Sequence, residues 1–207
     1  MRSLLLLLGL ALSQNSMAYL SINESGELSP AGTYQVGFEP QFLLNRGGGV
    51  LVGFFLDQGV REDLSLRYNL GFGRVDFNIG TSAKWVPFPD YQRQPAIGVK
   101  GGLHFGRFEG ENLLTVQIAP LLSKQVALDE ERGVLIPYVA VPFNFHSGKG
   151  FGSTAIQFVV GSEFLRPDST KFIFGAELAL DFGGGFSMLN AKASWPFDSS
   201  TGLFGGK

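Results

Sequence analysis

The chain has 207 residues, 16 Lys and Arg against 18 Asp and Glu, a net charge of −2 and no cysteine. This size suits a single domain. The charge balance lacks the basic footprint that phosphates require, which excludes nucleic acid as a partner, and the missing thiols exclude disulfide scaffolds, thiolate metal sites and cysteine nucleophiles. Gly 29 and Phe 20 stand beside only 16% charged residues, where soluble domains carry roughly a quarter, so a water-facing β surface would be short of charge.

In chain order, Arg2, the apolar run 4–12 and Ser16-Met17-Ala18 form the three parts of a secretory leader, and 1–18 is expected to be a signal peptide cleaved after Ala18. The run is far shorter than the roughly 20 residues of a spanning helix. Residues 19–32 are expected as an N-terminal periplasmic segment, 33–197 as a barrel and 198–207 as a polar C-terminal tail.

From Thr33 the chain falls into segments of about ten residues with period-two alternation, split by Gly, Asp, Asn or Pro clusters, the pattern of antiparallel strands joined by hairpins. Ten strands are predicted: 33–44, 49–57, 63–73, 75–85, 96–105, 113–123, one ending near 145, 153–164, 171–182 and 188–197. In the first, Tyr34, Val36, Phe38, Pro40 and Phe42 oppose Gln35, Gly37, Glu39 and Gln41. In the third, Leu64, Leu66, Tyr68, Leu70 and Phe72 oppose Ser65, Arg67, Asn69 and Gly71. The connections after strands 2, 4 and 6 are longer than those after the odd-numbered strands.

Charged side chains within these strands fall on the polar parity, among them Glu39, Asp57, Arg67, Asp76, Lys84, Lys100, Glu163, Glu177, Asp181 and Lys192, with His104 on the same face. Such segregation has two physical solutions. The apolar face is either the core of a soluble sandwich or barrel, or a surface that meets lipid around a polar lumen. Three features favour lipid. Glycines at 37, 53, 71, 80, 98, 102, 161 and 175 thin the polar face, as a confined interior requires. The strands have the length that crosses a bilayer at a tilt, about twice the soluble norm. Trp85 and Trp195 both close even-numbered strands and so share one rim, where with Phe197 they suit an interface belt. The expected fold is all-β: a closed antiparallel up-and-down transmembrane β-barrel of about ten strands, with eight or twelve as alternatives.

Over 33–197 this pattern resembles the bacterial outer-membrane β-barrel superfamily. The resemblance implies an outer-membrane location, lipid contact, and insertion by the outer-membrane assembly machinery, which in that superfamily reads a final strand ending aromatic-x-aromatic. Trp195-Pro196-Phe197 is similar to that signal, although ten further residues follow it. A monomer is expected.

The proposed lumen holds four cations and six acids from the set above. Mixed charge at this barrel size suits an interior largely filled by paired side chains, hence a structural or narrow-pore, porin-like role. Two alternatives come from other classes: a secreted soluble barrel with an apolar ligand inside, and a rim enzyme acting on outer-membrane lipid. An enzyme would need a His beside a nucleophile or carboxylate. Only His104 and His146 exist, and sequence fixes no carboxylate beside either, so no catalytic residue is expected. The acidic turn Asp129-Glu130-Glu131 lacks calcium-loop spacing, and the Gly-rich pieces at 47–49 and 183–185 lack the Lys and helix of a phosphate cradle. No metal and no cofactor are expected.

Overall fold

The computed structural model describes residues 20–45, 47–128, 133–148, 151–166, 172–183 and 185–198. The leader, the acidic turn at 129–131 and the tail beyond 198 lie outside the described residues. The strands are β1 (Thr33–Leu43), β2 (Gly49–Arg61), β3 (Leu64–Gly73), β4 (Phe77–Phe88), β5 (Ala96–Phe108), β6 (Glu111–Ser123), β7 (Val126–Ala127), β8 (Val134–Ala140), β9 (Phe143–Gly148), β10 (Phe151–Leu165), β11 (Ile173–Asp181) and β12 (Met188–Asp198).

Each pairs antiparallel with its neighbours, and β12 returns to β1 with Phe197 opposite Tyr34 and Leu189 opposite Phe42, so the sheet closes. β8 and β9 are two halves of one wall strand, interrupted at Val141 and Pro142, where proline has no N–H for the ladder. β7 is a short addition to β8 at the rim. The wall is therefore a closed barrel of ten antiparallel strands, the fold class that the alternation predicts. Closure leaves no unpaired edge in lipid, the condition for a sheet to span a membrane.

Alternation sets the two faces. Outward side chains are large and apolar, and half-exposed in the isolated chain, as at Phe54 (49%), Ile79 (53%) and Ile118 (48%). The charged side chains point inward, where Glu39, Arg67, Lys84, Lys100, Glu163, Glu177 and Lys192 are all buried, together with an apolar set that includes Leu51 and Phe108.

The rim that carries β1's start and β12's end, the terminal rim, also holds the longer connections. At the far rim the β5–β6 hairpin turns through Glu109 and Gly110 alone, both at positive φ (50° and 85°), which matches the right-handed twist of the strands.

Two expectations need correction. Asp76 does not line the lumen: β4 begins at Phe77, Asp76 is exposed in the turn, and Val75 is fully buried in its place. The turn follows Gly73 at φ 136°, which breaks the two-residue alternation and tips the apolar side chain inward. Residues 20–26, expected to belong to a periplasmic segment, lie inside the barrel, with Ile22, Asn23 and Ser25 at 0% exposure. Wall side chains of opposite charge draw this strap in.

Inward glycines make room for neighbouring rings. A Cβ on Gly37 would sit 2.2 Å from Phe55 Cζ, far too close for contact, and that ring carries the Arg67 guanidinium 4.0 Å from its centroid. Gly37→Ala is expected to destabilise the barrel by roughly 1–3 kcal/mol, read as a lower denaturant midpoint for loss of the compact gel form; an unchanged midpoint would refute this packing.

Candidate functional site in the barrel lumen

The wall's buried charges gather in its terminal half and middle, and toward the far rim apolar side chains stand beside uncharged polar ones. On β2 and β3, Asp57 and Arg67 stand directly opposite and form a two-pronged pair, Nε–Oδ1 2.6 Å and Nη2–Oδ2 2.7 Å. On β4 and β5, Lys84 and Lys100 are also directly opposite. Like charges so placed repel, and the adjacent strands β3, β4 and β5 thus bring three cations together, with one wall acid beside them on β2.

Glu24 of the strap resolves this. Its carboxylate lies 2.6 Å from Lys100 Nζ, 3.1 Å from Lys84 Nζ and 3.6 Å from Arg67 Nη2. Burial alone would raise the carboxyl, but Arg67, Lys100 and Lys84 together hold it well below its ordinary value. Across the lumen, Lys192 of β12 pairs with Glu163 of β10. The two reach each other over Gly175, the residue opposite both in the ladders.

Other strap groups meet the wall as closely. Glu177 accepts the N–H of Ile22 (3.2 Å) and of Asn23 (2.5 Å), and also accepts from Tyr138 Oη and Asn190 Nδ2. Lys192 donates to Asn23 O at 2.9 Å, and Lys84 donates to Ser25 O and Glu27 O. Ser25 Oγ bonds Glu163, and Ser21 Oγ bonds Glu39. At Gly26 the N–H reaches Ser123 Oγ at 2.9 Å; a Cβ there would sit 2.7 Å from that oxygen and 2.9 Å from the Ala96 Cβ, so only glycine fits.

Toward the far rim the lumen dries. Leu20 and Ile22 join Leu43, Leu51, Phe108 and Phe186 in one buried cluster, with the Phe108 and Phe186 rings edge to face at 5.9 Å. A neutral polar chain lies against it: Gln117 Nε2 donates to Asn144, Asn144 Nδ2 to Gln157, and Gln157 Nε2 to Phe186 O. On the terminal side a cavity of about 420 Å³ remains open, floored by Glu24, Asp57, Arg67, Lys84, Glu163 and Lys192.

The remaining sequence-singled residues fall as follows. Asp181 ends β11 at the far rim, where Oδ2 accepts the N–H groups of Gly183 (3.1 Å) and Gly185 (2.5 Å); it holds a loop and is half-buried. His104 packs over Gly80 and Gly102, and His146 Nδ1 lies 2.8 Å from Thr115 Oγ1. Trp85 donates from Nε1 to Asp63 at 2.9 Å. Trp195 packs edge-on against Phe172 at 5.8 Å, and Phe197 stacks on Tyr34 at 5.5 Å. All three aromatics are near the terminal rim. Glu24, the centre of the site, was not singled out from sequence. The signal available was the surplus of cations on three consecutive strands, which calls for an anion from elsewhere in the chain.

No family model and no curated protein sequence matches the chain. Among solved structures, the β domain of the Bordetella autotransporter BrkA matches with a TM-score of 0.52 at 10% identity, over 82% of this chain and all of that one. The translocator domain of the Neisseria meningitidis autotransporter NalP matches at 0.47 and 11% identity, over 82% and 89%. A de novo designed transmembrane β-barrel matches at 0.41 and 13%, over 83% and 100%. The BrkA likeness speaks for the fold alone: a barrel of transmembrane type.

Proposed function

We propose that the chain is a non-enzymatic, monomeric integral protein of the outer membrane, a barrel in contact with outer-membrane lipid that serves a structural role and is closed at rest to free passage of solutes. The observation that carries this reading is the strap: Glu24 sits among Arg67, Lys84 and Lys100 in mid-lumen, with an apolar cluster behind it. A hydrated path through the barrel has to cross both layers. The signal peptide at 1–18 and assembly through the outer-membrane machinery belong to the same reading, with Trp195-Pro196-Phe197 as the recognised end.

In planar bilayers the purified full-length protein is expected to give no conductance steps above the lipid baseline, in a preparation whose gel mobility is heat-modifiable. Steady ohmic steps from that preparation would overturn the closed lumen and favour the narrow-pore role.

A further inference from the structure

The strap is held as a ligand is held. Among the described residues, no main-chain to main-chain bond ties residues 20–29 to the wall; the first are Thr33 N–H to Pro30 O and Gly32 N–H to Gly59 O at the terminal rim. Its main chain is instead taken up by side chains from six strands: Arg67, Lys84, Lys100, Ser123, Glu177 and Lys192. Lysines and an arginine find carbonyls, while a carboxylate and a hydroxyl find N–H groups. The strap can therefore leave without breaking a single ladder bond of the barrel.

We infer that the lumen is a binding site for an extended acidic peptide segment, filled in cis by residues 20–27, for which a peptide of that class arriving from the terminal rim competes. The site specifies its occupant. It requires a carboxylate at the place of Glu24, against three cations. It requires glycine two residues later, where a Cβ meets Ser123 and Ala96. It requires apolar side chains at the places of Leu20 and Ile22, which complete the far cluster. The residue at 23 must accept a φ of 39°, which asparagine tolerates better than most. The cavity of about 420 Å³ on the terminal side is the approach.

The test uses full-length Gly26→Leu, which expels the strap sterically and alters no wall residue. The probe is a synthetic peptide of residues 20–30 with a fluorophore on its last residue. Fluorescence anisotropy in detergent micelles should show it binding the folded variant at least about tenfold tighter than wild type, whose tethered strap competes at high effective concentration. A probe with Gln in place of Glu24 should bind at least about tenfold more weakly, since three buried cations lose their partner. A folded Gly26→Leu barrel that ignores the probe, or binds the Gln and scrambled probes equally well, overturns the inference. Should that variant not fold, Glu24→Gln in the full chain replaces it: uptake of the native probe supports the site, and none refutes it. Conductance is a separate readout, so failure here leaves the closed lumen standing, and the reverse.

Discussion

Replacing Glu24 by Gln is expected to destabilise the closed barrel by about 3–5 kcal/mol, because removal of one member of a buried charge cluster strands the others. The side chain is 5% exposed and its partners Lys100 and Lys84 are 3% and 6% exposed, so water does not compensate the loss. Lys84 and Lys100, directly opposed on β4 and β5, would face each other with no carboxylate between them. A chemical-denaturation midpoint in micelles measures this, and Glu24→Asp, which keeps the charge at shorter reach, should recover part of it.

The same carboxylate makes closure acid-sensitive with a defined sign. Its folded value is depressed well below the ordinary 4.5. Its stabilisation is therefore complete above that ordinary value and is lost as pH falls through the depressed one. Wild type should weaken only in strong acid, and Glu24→Gln should lack that component of the acid response.

On the opposite face, Val116→Arg is expected to cost about 2–4 kcal/mol of folding free energy in a bilayer, the penalty for a cation near the midplane of a transmembrane barrel. Val116 points outward at 41% exposure and lies midway along β6. In a water-exposed sheet the same change would fall within about 0.5 kcal/mol, so the magnitude decides between solvents. Its neighbour Thr115 is fully buried inward, and Thr115→Arg would act through the lumen and leave the lipid face intact. Folding yield into liposomes, compared across the two variants, separates these effects.

The wall was legible in the sequence because a period of two, once charge is segregated, assigns the faces: Glu39, Arg67, Lys100 and Lys192 fix the inward parity of their strands, while the register between strands is set by the structure. The limits of legibility were at the turns. Asp76 was misplaced because alternation ends at Gly73, where the backbone leaves the extended region, and nothing in the residue types marks that. The strap was illegible for a different reason. Residues 20–27 carry no long periodic run, and their partners lie up to 169 positions away, as Asn23 and Lys192 do. Such contacts follow from closure of the barrel, which has to be assumed before Glu24 acquires three cations as neighbours. The opposed lysines on β4 and β5 were the usable clue, since two like charges in register ask for a third party.

In the proposed membrane barrel the apolar parity meets lipid and the polar parity encloses the lumen. The chain has no cysteine, so single cysteines at Leu103, Val116 and Ile118, and one at Ser65 beside the terminal cavity, can each carry one environment-sensitive fluorophore in proteoliposomes. Quenching of the first three by nitroxide-bearing lipid, and of the Ser65 probe by aqueous iodide alone, is the predicted result. Aqueous quenching at Leu103, Val116 and Ile118 with no effect of the lipid nitroxide would contradict the account.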